Sequence, residues 1–262
     1  MLNPIMVKEL RIHSRRTILY WVGLIYLLMV SISACILIWQ YKLIDPLNDI
    51  LVTSRSVFVV FTTIAVVINS FVSPSIALLI INAEKDISYL DFLKLTRLKS
   101  YQILSGKFIC LLFYTILVNS LSAPVIMLLA SFSGVSIFGV ARFYLITIFC
   151  NITFGFVGIS YSAIFKRIKT VAILTFATTV FFLFGTLMMK PVLRQILRSR
   201  NIIAESIFRG LNPIHATINI LDPRDTSKVA GLSLWLFLII SYLFLIIVFS
   251  IIANFKLNLV ES

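Results

Sequence analysis

Charged residues are scarce in this 262-residue sequence, and its long apolar stretches lack them in their interiors. Only 13% of the residues are Asp, Glu, Lys or Arg, whereas 60% are hydrophobic. Soluble domains are roughly 25% charged, and they rarely expose contiguous apolar patches larger than a few hundred Å². A soluble fold of this length could not cover so much apolar surface. The composition therefore predicts a polytopic membrane protein.

Residues that bind metals or form disulfides are also few. Cys35, Cys110 and Cys150 all lie inside apolar stretches, and His13 and His215 are far apart in the sequence. An odd set of cysteines in apolar surroundings favours a packing role over disulfide pairing or metal binding. The sequence predicts no metal site and does not indicate a redox compartment.

A net charge of +13 does not indicate a nucleic-acid partner in this sequence. The 23 Lys and Arg residues are confined to the segments between apolar stretches. There they orient a membrane protein and contact lipid headgroups. No basic domain outside the membrane is available, so no nucleic acid is expected to bind.

Six apolar stretches are long enough to cross a hydrocarbon core of about 30 Å, which takes roughly 20 residues. Backbone groups in lipid must be paired within their own segment, so each stretch is predicted to be a helix. The predicted spans are residues 18–39, 57–81, 108–132, 143–165, 171–189 and 232–255. The expected fold class is an all-α integral membrane protein in which residues 1–262 form one transmembrane domain.

The distribution of Lys and Arg predicts which side each connection occupies. Four precede the first span, five lie in residues 82–107, three in 166–170 and one in the C-terminal tail. The alternate connections carry two, one and, in residues 190–231, seven. Because short cytoplasmic connections are enriched in Lys and Arg, both termini are predicted to be cytoplasmic. The basic 190–231 segment departs from this rule, since it is then an outer loop.

No predicted span carries an ionisable residue other than cysteine or tyrosine in its interior. Ion-coupled transporters need such groups at depth, so an external energy source is favoured. An intramembrane enzyme is not expected either, because no carboxylate pair, metal-ligand spacing or Ser/His set lies at depth. The Ser105-Gly106-Lys107 triplet lacks the first glycine of a phosphate-binding loop, since Tyr101 stands there.

Three asparagines are the main polar candidates inside the spans, one each in spans two, three and four: Asn69, Asn119 and Asn151. They could form a polar strip along a substrate path, or hydrogen bonds between helices worth ~0.6 kcal/mol on average. The second interpretation is favoured. In span four, Gly155, Gly158 and Ser162 share one face and predict close helix packing.

Two amphipathic helices are predicted outside the spans. The first covers residues 1–17: Asn3 and Pro4 are typical of a helix start, and apolar residues then mix with Lys8, Glu9 and Arg11. The second covers residues 84–99 between spans two and three. Its apolar residues include Leu90 and Leu93, and its charged residues include Glu84, Lys85, Asp86 and Lys94. The acidic residues favour a protein partner over anionic lipid.

The long segment over residues 190–231 alternates apolar and basic side chains. This mixture predicts a helix resting at the outer membrane interface. A lid, or a contact to an acidic extracytoplasmic protein, is the alternative.

Three separated groups of residues resemble motifs of the membrane subunits of type-2 ABC exporters. The first, similar to the family's N-terminal elbow, is Asn3, Pro4, Lys8, Glu9 and Leu10. The second, similar to its coupling-helix region, is Pro74, Glu84, Leu90, Leu93, Thr96, Gly106 and Lys107. The third, similar to a motif before the last span, is Asn212 and Pro213. The departures are Ser88-Tyr89, where the family often has Gly-Thr, and Arg97, where it has proline.

The resemblance covers essentially the whole chain and implies a permease subunit with no cofactor of its own. Such a subunit pairs with an identical or related permease and binds two copies of a separate ATPase subunit, which holds ATP and Mg²⁺. The elbow and the coupling helix over 84–99 would transmit ATP-driven closure, with Glu84 at the ATPase interface. The expected function is export of an unknown substrate across the plasma (cell inner) membrane. The alternative is a membrane scaffold of an ABC-type complex that assembles or matures a partner protein.

Overall fold

The computed structural model describes residues 17–44, 50–82, 100–165, 167–189, 202–221, 227–229 and 231–261. Six helices in this part of the chain are long and apolar enough to cross a membrane. The predicted fold class, an all-α multi-pass membrane protein, is thereby confirmed. Residues 1–16 of the predicted elbow and the predicted coupling helix over 84–99 lie outside the described residues.

The first four spans are long single helices: α1 (Thr17–Ile44), α2 (Ile50–Asn82), α3 (Ser100–Ser133) and α4 (Ile137–Ile164). The fifth begins as α5 (Ile168–Val180), passes through a π-helical segment, Phe181–Gly185, and ends at Met189. Two short helices follow, α6 (Ile202–Leu211) and α7 (Pro213–Leu221). A two-stranded antiparallel hairpin, β1 (Lys228–Val229) and β2 (Leu232–Ser233), leads into the last span, α8 (Leu234–Glu261).

The turn between α3 and α4 is shorter than the sequence predicts. Gly134 directly follows α3 with a φ of 64°, a left-handed conformation that glycine adopts without steric cost. Ser136 then caps α4 by accepting a hydrogen bond from the Gly139 N–H at 3.2 Å. The fourth span consequently begins at Ile137, six residues before the predicted start at Phe143.

Arg142 explains why that start was placed too late. A charged residue is costly inside lipid, so the sequence indicates a span that begins after it. In the structure Arg142 is exposed near the end of the bundle, and its guanidinium carbon lies 5.6 Å from the ring centroid of Trp235. This contact with a tryptophan at the start of α8 accommodates the charge within the first turns of α4.

Helix α4 occupies the centre of the bundle. It packs against α2, α3, α5, α7 and α8. In its most hydrophobic stretch 78% is buried within the protein, compared with 28% in that of α1 and 17% in that of α8. Gly155 and Gly158 make this packing possible. A Cβ atom at Gly155 would lie 2.6 Å from Ser73 Oγ of α2, and one at Gly158 would lie 3.1 Å from Thr175 Cγ2 of α5. The absence of these side chains brings three spans close together.

The outer helices contact the rest of the bundle through narrow stripes. On α1 the buried residues recur every three or four positions, at Tyr26, Val30, Ala34 and Leu37. The remaining faces of α1, α3 and α8 expose large apolar side chains such as Trp21, which suits a lipid environment.

The α6–α7 hairpin enters the end of the bundle instead of covering it. The Tyr242 hydroxyl donates to the Leu211 carbonyl at 3.2 Å, and Tyr242 lies eight residues after Leu234. At a rise of 1.5 Å per residue, the backbone of Tyr242 lies about 12 Å along α8 from its start. At the far end of α7, the Leu221 carbonyl accepts a hydrogen bond from Arg55 Nε of α2 at 3.4 Å. The segment predicted as an outer loop with an interfacial helix thus contains two helices, the second packed between α2, α4 and α8.

We expect the substitution Gly155→Ala to destabilise the protein by about 1–3 kcal/mol, since the added methyl overpacks a buried contact. It would collide with Ser73 Oγ and with the buried side chain of Leu111. The measurement is the free energy of unfolding in mixed detergent micelles.

Gly23→Ala is the matched control for this substitution. A Cβ atom there meets only the end of the Leu121 side chain, at 3.2 Å. Both variants gain roughly 0.8–1 kcal/mol of helix propensity, so the control should be neutral or stabilised. Equal stabilities of the two variants would contradict the close approach of α2 and α4.

Candidate functional site

Two of the three predicted groups of site residues lie outside the described part of the chain. They are the coupling residues Glu84, Lys85, Asp86, Leu90, Leu93 and Lys94, and the elbow residues Asn3, Pro4, Lys8, Glu9 and Arg11. Their roles stay predictions. The third group, the three asparagines of spans two to four, is described completely.

Asn69 and Asn119 are brought together by α2 and α3. The Asn69 Nδ2–H donates to Asn119 Oδ1, and both residues are 2% exposed. Asn119 in turn donates its own amide to the Thr115 carbonyl at 2.8 Å, one turn back along α3. This chain of hydrogen bonds ties two spans together inside the bundle, where no water competes for the donors.

Asn151 joins the same region through its backbone. Ser73 lies one turn after Asn69 on α2, and its hydroxyl donates to the Asn151 carbonyl of α4. The side-chain oxygens of Asn69 and Asn151 are buried without a hydrogen-bond partner among the described residues, as is Thr115 Oγ1. We call Asn69, Ser73, Thr115, Asn119 and Asn151 the polar cluster. It joins α2, α3 and α4, and a role for its asparagines in a substrate path stays a prediction.

Asn212 is a second buried asparagine, outside this cluster, and both ends of its side chain form hydrogen bonds. It sits at the turn between α6 and α7 and is fully buried. Its Oδ1 accepts hydrogen bonds from the backbone N–H groups of Ile214 at 2.8 Å and His215 at 3.3 Å. With Pro213 as the first helical residue, this is the N-cap that an Asn-Pro pair favours. Asn212 therefore starts α7 within the bundle.

The other end of the same side chain contacts the fifth span. Asn212 Nδ2 donates to the Leu183 carbonyl at 2.8 Å, to Thr186 Oγ1 at 2.6 Å and, more weakly, to the Phe182 carbonyl at 3.3 Å. All three acceptors belong to the π-helical segment or to the residue that follows it. One asparagine thus caps α7 with its oxygen and binds the π-helical segment with its nitrogen.

The π-helical segment explains why these carbonyls are available. The Thr186 N–H bonds to the Phe181 carbonyl, five residues back instead of four. The Phe182 carbonyl comes next, and it accepts hydrogen bonds from the side chains of Thr186, at 2.8 Å, and Asn212. A widened turn disturbs the regular main-chain pattern, and side chains here supply the donors.

An aromatic cluster surrounds this contact on the inner side. Phe154 of α4, Phe182 of the fifth span and Tyr242 of α8 lie with ring centroids 5.7–6.1 Å apart. The Tyr242 hydroxyl reaches the Leu211 carbonyl beside Asn212. Tilted and edge-to-face pairs at such distances are favourable. The turn of the α6–α7 hairpin is therefore held by the π-helical segment on one side and by α8 on the other.

The chemistry available at these sites is that of amides and hydroxyls. In the part of the chain that the structure describes, no three His, Cys, Asp or Glu side chains are placed to hold a metal ion. The basic residues of the described spans, such as Arg55, Lys107 and Arg142, lie near the span ends. Such groups hold neighbouring helices in defined positions through hydrogen bonds.

Sequence reasoning identified the three asparagines but treated Asn212 only as part of a motif. The Asn-Pro pair is a helix-start signal that could have placed an N-cap there. The bond to the fifth span could not have been found in this way. No local signal in Phe181–Gly185 distinguishes a π-helical turn from the rest of an apolar helix.

A double-mutant cycle on Asn69→Ala and Asn119→Ala should give a coupling energy of about 0.6–1.7 kcal/mol, the range for hydrogen bonds between membrane helices. The free energy of unfolding of the two single variants, the double variant and the parent protein provides the measurement. Ser70→Ala with Asn119→Ala is the control cycle, since the Ser70 hydroxyl bonds within α2 to the Val66 carbonyl. Additive effects in the first cycle would contradict the interhelical bond.

Asn212→Asp should lower the free energy of unfolding by at least about 1–3 kcal/mol, the cost of leaving a buried acceptor without its donor. One carboxylate oxygen keeps the N-cap of α7, while the other replaces the donor and faces the Phe182 and Leu183 carbonyl oxygens, so the buried charge adds to the loss. Asn219→Asp is the matched control, because Asn219 is half-buried and its amide donates to the Ser227 carbonyl at 3.2 Å. A loss at position 212 no larger than at 219 would contradict a stabilising role of the amide.

Comparison with protein-family models finds no match to this chain, and comparison with curated proteins finds none that is significantly similar. Membership of a family is therefore not shown. The six membrane spans, the polar cluster and the Asn212 contact are the observations from which a function has to be argued.

Proposed function

We propose that this chain is the membrane-spanning permease subunit of an ATP-driven exporter of the type-2 ABC kind. It would couple ATP hydrolysis by a separate ATPase subunit to the movement of an unknown substrate across the plasma membrane. The observation that carries the proposal is the place of residues 83–99 in the architecture, together with the motif residues that this segment contains.

Residues 83–99 connect α2, which ends at Asn82, to α3, which begins at Ser100. Both helices pack directly against the central helix α4. Arg55, near the start of α2, contacts the end of α7, so Asn82 lies at the opposite end of a 33-residue helix. A force applied to residues 83–99 would thus act on two neighbours of α4, away from the α6–α7 hairpin. This is a suitable place for an ATPase contact.

The polar groups in the spans support an external source of energy. Coupling to ions or protons requires ionisable groups at depth, and such groups in membranes are usually functional. Here the buried polar side chains are amides and hydroxyls, such as those of Asn69, Asn119 and Thr175. In this proposal the energy comes from ATP and Mg²⁺ in the partner subunit, and the permease itself binds no cofactor.

Two buried asparagines bond to each other within the bundle and so are not free to line a substrate path through one subunit, which supports a dimeric arrangement. The amides of Asn69 and Asn119 bond to each other inside the bundle. The outward faces of the spans are wide and apolar. A path for substrate would therefore form between two permease subunits, identical or related, above two copies of the ATPase. Both termini and residues 83–99 would face the cytoplasm, as the Lys and Arg counts predict.

A second candidate function is favoured by the other end of the molecule. There α6, α7 and the β1–β2 hairpin form a folded unit on α8, and Lys228 at its surface is exposed. Residues 190–231 carry seven basic side chains. A scaffold that assembles or matures an extracytoplasmic protein could present such a unit to an acidic partner. Photocrosslinking from position 228 in cells would capture that protein, whereas a solute exporter should give no reproducible protein adduct there.

Glu84→Lys and Leu93→Asp should each abolish stimulation of the partner ATPase while leaving membrane insertion and thermal stability close to those of the parent. Both residues lie outside the hydrocarbon in the predicted topology, so the changes affect docking and not the bundle. The measurements are co-purification of the ATPase and the rate of ATP hydrolysis in lipid nanodiscs.

Lys228→Glu is the control, because it also reverses a charge but lies at the opposite end of the bundle. It should leave ATP hydrolysis unchanged. Wild-type stimulation in both loop variants would place the ATPase contact elsewhere. Transport activity of the purified chain in the absence of any ATPase would refute the proposal as a whole.

A further inference from the structure

The π-helical turn of the fifth span is completed by a side chain from another element. Its Phe182 carbonyl accepts hydrogen bonds from the Thr186 hydroxyl and the Asn212 amide, and its Leu183 carbonyl accepts one from Asn212. An open carbonyl is costly in lipid, because hydrocarbon supplies no donor. The widened turn is therefore stabilised by two side-chain donors, the Thr186 hydroxyl of the same span and the Asn212 amide from outside it.

An α-helical turn over the same residues would need no such help. In that register the Thr186 N–H would bond to the Phe182 carbonyl, four residues back, and not to the Phe181 carbonyl that it contacts here. The Phe182 carbonyl can thus be served by the backbone or by side chains. Two hydrogen-bonding arrangements compete for the same acceptor, and the Asn212 amide favours the π-helical one.

We propose that residues 181–189 exchange between the π-helical register described here and an α-helical register, and that Asn212 is the latch that holds the first. When the π-helical turn becomes α-helical, each residue that follows it in the span moves to the position that the next residue occupied before. This is a rotation of about 100° and a shift of about 1.5 Å along the axis. The end of the fifth span would turn as one piece.

The pattern of exposure makes this rotation measurable. Thr186 is buried, Leu187 is half-buried and Met188 is 63% exposed. After the change of register, Leu187 would occupy the exposed place of Met188, and Met188 would move to the half-buried place of Met189. Lipid exposure would therefore peak one residue earlier in the chain.

The latch links the register to the position of the α6–α7 hairpin. Asn212 lies at the turn of the hairpin, and the neighbouring Leu211 carbonyl is held by the Tyr242 hydroxyl of α8. A ligand or partner that draws the α6–α7 hairpin away from the π-helical segment removes the Asn212 amide from the Phe182 and Leu183 carbonyls. The α-helical register is then favoured. The converse also holds, since two events that share one equilibrium influence each other equally. This coupling does not depend on the ATP-driven function proposed above.

The test uses the full-length chain in lipid nanodiscs with a nitroxide label at position 187 or 188. Cys110 and Cys150 are fully buried, so only the exposed Cys35 needs replacement by alanine. Accessibility to molecular oxygen, measured by electron paramagnetic resonance, reports exposure to lipid. With Asn212 present, the label at 188 should be the more accessible. In Asn212→Ala and Asn212→Asp the order of the two positions should reverse.

Asn212→Asp separates the latch from the helix cap, because one carboxylate oxygen keeps the cap of α7 while the other replaces the donor and repels the Phe182 and Leu183 carbonyls. Thr186→Val carries the test if neither Asn212 variant inserts into the membrane, since it removes the other side-chain donor to the Phe182 carbonyl. It should reduce the difference between positions 188 and 187. Thr179→Val is the matched control: its hydroxyl bonds to the Thr175 carbonyl, before the π-helical segment, and the order should not change. An unchanged order in folded Asn212 variants, or an unchanged difference in Thr186→Val, would overturn the proposal.

Discussion

Polar groups inside a bilayer must find their partners within the protein, because hydrocarbon offers none. In this chain most buried hydroxyls meet the demand locally. Thr62, Thr147 and Thr175 each donate to the carbonyl four residues back in the same helix. An asparagine amide has two donors and an acceptor, which one turn of helix cannot satisfy. The asparagines therefore join separate elements: Asn69 joins α2 to α3, and Asn212 joins α7 to the π-helical segment.

The same constraint accounts for the irregular part of the fold. A π-helical turn and the N-terminus of a short helix both present backbone groups that the main chain leaves unpaired. The structure places the two side by side, and Asn212 serves both, with Oδ1 on the N–H groups of α7 and Nδ2 on the carbonyls of the fifth span. The π-helical turn and the N-terminus of α7 thus satisfy their unpaired groups through the same side chain. The proposed α-helical register of the fifth span differs from this arrangement by a few hydrogen bonds.

The six spans and their all-α class could be predicted because each depends on one property, an apolar length of about 20 residues. The start of α4 could not, since Arg142 interrupts the apolar pattern and its accommodation depends on Trp235, more than 90 residues later. The packing of α7 between α2, α4 and α8 could not be predicted for a similar reason, since it depends on residues far apart in the chain. The hydrogen bond between Asn69 and Asn119 could not be predicted as a specific pair. It depends on how α2 and α3 face each other, which periodicity alone does not specify.

The two ends of the molecule meet at α4. The segment over residues 83–99 connects α2 and α3, which pack on α4. The Asn212 contact and the aromatic cluster involve α7, α8 and the π-helical segment that continues α5, and α5, α7 and α8 also pack on α4. At its closest contacts α4 has Gly155 and Gly158, so no α4 side chain there can change rotamer when α2 moves. A movement of α2 therefore displaces the α4 backbone. Phe154 lies one residue before Gly155 and touches Phe182 inside the π-helical segment. A displacement at one end thus has a short, packed route to the fifth span, and the register of that span is the element able to respond in a discrete step.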